Sequence, residues 1–241
     1  MIQATNQASS RQLFLSLLLA LGVCLVRNTL AASIAADQHA QCPEWAEVGE
    51  CDTNPTYMLA SCATSCDKVM AVDASDASDL HGINSFYELS APDIDGNMVD
   101  FNEFQGKVVI LTNVASYCGY TEGHYKQLVE LWSHFPAGDN VEILAFPCNQ
   151  FGQQEPGTAD EIKAFIQQKG VTFRIMSKTD VNGPQADKVY KFLKREAGPN
   201  SITWNFATYF VVSPNGDVTS YSGVEPSALK TVALSLLKEE L

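Results

Sequence analysis

The seven cysteines of this 241-residue chain are spread so unevenly that they divide it before any other feature is read. Cys42, Cys51, Cys62 and Cys66 fall within 25 residues, Cys118 and Cys148 stand alone downstream, and Cys24 lies in an apolar run near the start. A segment as short as the first group cannot bury a self-sufficient core, because chains below about 40 residues generally need disulfides, a metal or a partner. The intervals of eight, ten and three residues lack the paired CxxC pattern of structural zinc sites,. Disulfides are therefore expected and no metal site is, while the spacing leaves all three pairings open.

The start of the chain agrees with an oxidising route. Residues 13–26 read LFLSLLLALGVCLV, preceded by Arg11 and followed by Ala31, Ala32, Ser33 and Ala35, which predicts a signal peptide over residues 1–35,. As a helix the apolar run spans roughly 21 Å, short of the ~30 Å hydrocarbon slab. An uncleaved signal anchor is the alternative, and it leaves the protein facing the same lumen. Formal net charge is −13 although Arg11 and Arg27 are the only charges in that segment, so the remainder is more acidic still. Such a surface repels phosphate backbones, which argues against nucleic acid as a partner.

Three zones follow: a cysteine-rich module over residues 36–69, a linker over 70–84 and a larger domain over 85–241. The linker repeats Ala, Ser and Asp with no apolar period,. In the module, ADQHAQCPEWAEVGECDTNPTYMLASCATSC, with Trp45, Gly49, Asn54, Pro55, Tyr57 and Met58 between the cysteines, resembles the ShK-toxin-like (ShKT) domain. That family normally has six cysteines; here Ala35 and Val69 take the first and last positions, which are partners in the family, so no thiol is orphaned. The resemblance implies the pairs Cys42 with Cys62 and Cys51 with Cys66. It also implies an appendage or partner-docking module rather than a channel blocker.

From Ser85 onward, strand and helix patterns alternate. Ser85–Leu89 reads as a short strand, followed by a turn at Asp95-Gly96-Asn97. Val108–Val114 and Val141–Phe146 are continuous apolar runs of the kind found in buried strands,. Helices are expected over Thr121–Trp132, Ala159–Gln168 and Ala186–Arg195. A hairpin, Tyr209–Val212 with Val218–Tyr221, turns at Ser213-Pro214-Asn215-Gly216, and Ser227–Leu241 closes the chain as an amphipathic helix,. That order predicts an α/β domain with a central mixed sheet flanked by helices, a thioredoxin-like fold, behind a small disulfide-rich module.

Cys118 sits in NVASYCGYT, where a buried strand gives way to a helix. The free amides and dipole of a helix N-terminus favour an anionic sulfur there. Two more segments, AFPCNQFGQQEPG from Ala145 and ITWNF from Ile202, complete a set of three motifs in order that resembles the glutathione peroxidase family from Ser85 to the C-terminus. The resemblance implies a catalytic tetrad of Cys118, Gln154, Trp204 and Asn205. It implies a thiol-dependent peroxidase, acting in the response to oxidative stress, that reduces hydrogen peroxide or organic hydroperoxides. The thiolate becomes a sulfenic acid that a second thiol discharges. No metal, flavin or haem cofactor is implied; the co-substrate is a thiol such as glutathione, a thioredoxin-like protein or protein disulfide isomerase. Neutral amide and indole donors suit this chemistry, because they stabilise the leaving oxygen without locking the sulfur in an ion pair.

Cys118-Gly119-Tyr120-Thr121 is not CxxC, and Gln167 occupies the position where thioredoxin-dependent relatives carry a resolving cysteine,. Cys148 is the remaining candidate for that role, with packing at a strand end as its competing reading. The similarity to lumenal members coupled to disulfide isomerase, together with Lys238-Glu239-Glu240-Leu241 resembling a KDEL-type signal, points to retention in the endoplasmic reticulum, with secretion as the alternative,. The short connection from Arg195 to Trp204 implies a monomer. A secreted interaction protein, whose ShKT-like module binds a receptor or channel, is the competing reading of the whole chain.

Overall fold

The computed structural model describes residues 36–47, 50–68, 79–135 and 140–238. The expected signal segment and the last three residues of the retention motif lie outside the described residues. Among the described residues, no helix is long and apolar enough to cross a membrane.

The cysteine-rich module consists of short helices: α1 (Cys42–Glu47), α2 (Glu50–Thr53), α3 (Pro55–Ser61) and α4 (residues 63–68). Two disulfides join Cys42 to Cys62 and Cys51 to Cys66, the pairing implied by the ShKT resemblance. These sulfurs, with Ala46 and Met58, form the module's core, against which Trp45 packs. Helices this short are marginal in water, so the bridges carry the stability, each worth ~3 kcal/mol for loops of this size. Pro55 opens α3 at a position where its missing N–H costs nothing,. The Ser65 backbone N–H and hydroxyl donate to Asp37 at 3.0 and 2.6 Å. The hydroxyl bond is the largest influence holding the Asp37 carboxyl below the usual range.

The larger domain is built on a five-stranded sheet formed by β3 (Val108–Val114), β4 (Val141–Pro147), β5 (Arg174–Ile175), β6 (Thr208–Val212) and β7 (Val218–Ser222), in the order β5-β4-β3-β6-β7. β3, β4 and β5 run parallel; β6 is antiparallel to both of its neighbours, β3 and β7. The parallel pairs need helical crossovers, supplied by α5 (Thr121–Ser133) and α6 (Ala159–Gln168),. α7 (Lys188–Ala197) precedes β6, and α8 (Leu229–Lys238) ends the described chain. Every residue of β3 is buried because both sheet faces are covered,. Val108, Ile110 and Val114 face a cluster with Leu128, Ile162 and Leu229 from α5, α6 and α8. Val109 and Leu111 face Phe86, Phe101, Tyr190 and Leu193. This is the mixed, helix-flanked sheet of a thioredoxin-like fold. A small hairpin, β1 (Ser90–Pro92) with β2 (Met98–Asp100), stands before it and turns at Gly96, whose φ of +84° suits a residue without Cβ,.

Several expected elements differ. Ser85–Leu89 is not a strand but a 3₁₀ turn over Phe86–Glu88. The Ser85 hydroxyl accepts the Tyr87 N–H at 3.3 Å, and the Glu88 carboxylate reaches back to the Ser85 N–H at 3.2 Å. That is the S-x-x-E capping pattern, which overrides the β preference of Phe and Tyr. The helix expected from Ala186 begins at Lys188, because Asp187 caps it by accepting the Val189 N–H at 2.8 Å,. The edge strand β5 was not foreseen; two residues carry no period to read. Before Ser85, Leu80 is already buried in the core and Asp79 pairs with buried Lys191 at 2.6 Å, so the end of the expected linker is anchored to α7.

Candidate active site

The carboxyl ends of the parallel strands are where an open α/β sheet leaves room for a ligand, and β3 and β4 each lead there into one of the motifs. β3 runs out at Val114, and the chain turns through Ala115 to Tyr120 before α5 begins. Thr121 shapes that turn: its hydroxyl donates to the Ala115 carbonyl at 2.6 Å and accepts the Cys118 N–H at 3.1 Å. Cys118 is thereby held at the mouth of α5, 7% exposed, between the exposed rings of Tyr117 and Tyr120. Its thiol is free and donates weakly to the Asn205 carbonyl at 3.9 Å.

β4 leads into a loop that turns through Gly152 and Gln153, both with positive φ, +57° and +52°. This tight turn presents Gln154. The Tyr117 N–H donates to the Gln154 carbonyl at 3.0 Å, joining the cysteine loop to the glutamine loop. Glu155 reinforces the junction by accepting the Ser116 hydroxyl at 2.9 Å. Burial is the main cause that raises the Glu155 carboxyl above its ordinary range, and the Ser116 bond offsets part of it,.

The third segment enters just before β6. Phe206 adopts φ +65°, an unusual conformation for a bulky residue, which marks this bend as strained,. Asn205 is fully buried; its side-chain Nδ2 donates to Gln154 Oε1 at 3.3 Å and its side-chain Oδ1 accepts from Asn113 Nδ2 at 3.0 Å. Trp204 is 37% exposed and packs against Phe151 with ring centroids 5.9 Å apart. A methyl group on Gly152 would lie 3.6 Å from Gln154 and 3.7 Å from the Trp204 ring, so these two side chains flank the same spot. Gln154, Trp204 and Asn205 are thus brought together with Cys118 by contacts running from the sulfur through Asn205 to Gln154. Asn205 differs from the expected arrangement in one respect. Its main-chain carbonyl meets the sulfur, and its side-chain amide holds Gln154.

Cys148 is placed otherwise. Its side chain is buried with Phe151, Tyr190 and Phe146 in the cluster on the sheet face opposite the one to which Cys118 belongs. Burial pushes its thiol up to about 12, and its backbone N–H is bonded to the Val114 carbonyl. Gln167 is exposed on α6.

Asn113 was missed as a functional residue. From β3 its Nδ2 donates to both the Trp204 carbonyl and Asn205 Oδ1, at 3.2 and 3.0 Å. The signal was in the sequence: a lone amide inside the apolar run VVILTNV. His124 was also passed over. It is buried one turn into α5, bonded through Nδ1 to the Tyr209 hydroxyl at 2.6 Å. Desolvation lowers its affinity for a proton, while Glu225 opposes that shift. His124 and Trp204, with Tyr120, Phe206, Val224 and Glu225, line a cavity of about 460 Å³.

Comparison with known proteins agrees with this geometry. The family model described as glutathione peroxidase matches residues 86–194, and the one described as ShK domain-like matches residues 35–68. Glutathione peroxidase-like peroxiredoxin 2 of Saccharomyces cerevisiae is 45% identical over 161 residues, covering 64% of this chain and 98% of that protein. Phospholipid hydroperoxide glutathione peroxidase of Sus scrofa is 46% identical over 144 residues, covering 58% of this chain and 72% of its own. The crystal structure of Trgpx in apo form is similar at a TM-score of 0.54 and 32% identity, covering 65% of this chain and 97% of its own. With 98% of a relative's length matched at 45% identity, and with the three motifs gathered around one free cysteine, this chain belongs to the glutathione peroxidase family, peroxidase oxidoreductases, and carries an ShK-like domain ahead of its catalytic fold.

Proposed function

We propose that Cys118 is the peroxidatic nucleophile of a thiol peroxidase acting on hydrogen peroxide or organic hydroperoxides. The observation that carries this reading is the meeting of Gln154, Trp204 and Asn205, from segments far apart in sequence, beside a free cysteine at a helix mouth. On ionisation the sulfur gives up its bond to the Asn205 carbonyl and attacks one peroxide oxygen. An S–O bond forms, the O–O bond breaks, and the departing oxygen leaves as water or alcohol after taking a proton. The Gln154 amide and Trp204 indole N–H stabilise that oxygen, and Asn205 positions Gln154. The cavity beside Trp204 gives room for the organic part of a hydroperoxide.

The resulting sulfenic acid is discharged by an external thiol, releasing water and forming a mixed disulfide that a second thiol resolves. Glutathione, a thioredoxin-like protein and a disulfide isomerase all supply this chemistry, and no metal or organic cofactor enters it. Two features support external reduction: Gln167 stands where a resolving cysteine would be, and Cys148 is packed away with its thiol held protonated. The disulfides of the ShK-like module fit the secretory pathway; retention in the endoplasmic reticulum through Lys238–Leu241 and a monomeric state are part of the same proposal. Peroxide consumption by the purified protein, with each reductant offered in turn, tests it. Cys118→Ser is expected to abolish turnover and Cys148→Ser to preserve it. Undiminished turnover in Cys118→Ser would refute the assignment.

A further inference from the structure

The ShK-like module has a cavity of its own, about 350 Å³, lined by Trp45, Glu50, Asn54, Tyr57 and Met58. The planes of Trp45 and Tyr57 meet at 62° with ring centroids 6.2 Å apart, so the two rings form a corner. His39 extends the cluster, 5.8 Å from Trp45 and 6.1 Å from Tyr57. Aromatic faces carry negative electrostatic potential and attract cations, and a carboxylate in the same cavity adds a full charge. Asn54 supplies an independent observation. It stands at the N-cap of α3, where an Asn side chain ordinarily accepts an N–H of the first turn. Here its side chain makes no capping bond and lines the cavity instead. The module as a whole has matching charge: among its described side chains, Asp37, Glu44, Glu50 and Asp67 are acidic and Lys68 is basic.

We propose that this cavity recognises a cationic side chain, lysine or arginine, presented by a basic segment of a partner protein. The apolar stem of such a side chain matches the Trp45 and Tyr57 rings and buried Met58. Its charged head matches the Glu50 carboxylate and the Asn54 side-chain oxygen. A choline lipid would offer a similar cation, but with a phosphate that the acidic module repels. The proposal does not rest on the peroxidase reading, since the residues involved belong to the module alone.

The test uses the full chain with its disulfides intact and trilysine amide as probe, following the tryptophan and tyrosine resonances by NMR. Trilysine is expected to shift Trp45 and Tyr57, and added salt to weaken the binding. Glu50→Gln is expected to lower affinity about fivefold, and Trp45→Leu about tenfold or more. Triglutamate and phosphatidylcholine vesicles are expected to shift neither ring. Disulfide mapping of each variant verifies that the module is intact, and peroxide turnover reports separately on the catalytic domain. Unshifted rings under trilysine, equal affinity in Glu50→Gln, or binding to the vesicles instead would each overturn the proposal.

Discussion

In residues 36–68 all four cysteines are tied into disulfides around a few buried side chains, whereas the sheet domain leaves Cys118 and Cys148 free and buries a large apolar cluster on each sheet face. Covalent bridges replace a core where too few residues exist to build one, and a sufficient core frees sulfur for chemistry. The two free cysteines carry the comparison further. Cys118 lies in a turn closed by Thr121 beside neutral hydrogen-bond donors, while Cys148 sits among Phe and Tyr rings with its thiol held protonated. Sequence context places both after a buried strand and gives only Cys118 a helix start; the opposite sheet faces and different neighbours of the two thiols emerge in three dimensions.

Exchanging one cysteine at a time gives the largest contrast. Cys118→Ser is expected to reduce peroxide consumption to background while leaving thermal stability nearly unchanged. Cys148→Ser is expected to retain turnover but lower stability by about 1–3 kcal/mol, because a hydroxyl replaces an apolar sulfur; denaturant unfolding measures this. If Cys148→Ser abolishes turnover and leaves the fold intact, internal resolution returns as the mechanism. Next in size, opening one bridge with the pair Cys42→Ser and Cys62→Ser is expected to remove about 3 kcal/mol from the module. Hydrogen exchange should show residues 36–68 losing protection while peroxidase activity persists.

Asn113→Ala tests the scaffold behind the site. It leaves the Trp204 carbonyl and Asn205 Oδ1 without their donor, at a cost of about 1–3 kcal/mol. Turnover is expected to fall more than peroxide affinity, since the loss disturbs Gln154 through Asn205. A smaller effect concerns pH. Burial raises the Glu155 carboxyl in the folded chain, so the native state holds its proton more tightly than the unfolded state. The stability linked to this group is full below about 4.5 and declines as pH rises through the folded value. His124 acts in the opposite sense. Its lowered proton affinity gives stability that is full above about 6.5 and is lost as pH falls,. Glu155→Gln should flatten the first slope and leave the second, which unfolding midpoints across pH 4–8 would reveal.

Much of the fold was legible because its elements are long and uniformly apolar. β3 and β4 are buried on both faces and therefore read as unbroken hydrophobic runs, and α6 is capped by Thr158, whose side chain is paired with Glu161 in a capping box. Residues 85–89 misled because local capping by Ser85 and Glu88 outweighed the strand preference of the aromatics between them. Asn113 and His124 were overlooked for a different reason: each acquires meaning only from residues many positions away. Asn113 bonds to Trp204 and Asn205, and His124 bonds to Tyr209.

The sequence by itself determined the long buried strands and the main helices, which cysteine follows a buried strand at a helix start, and that a short cysteine-rich segment needs covalent staples. These are consequences of local periodicity, capping and core size. Only the tertiary structure decided that the Asn205 amide holds Gln154, that the Cys148 thiol is sealed among aromatic rings, and that Trp45 and Tyr57 open onto a cavity with Glu50. Hydrogen-bond partners, desolvation and cavities depend on distances between remote parts of the chain, which exist only once it has folded.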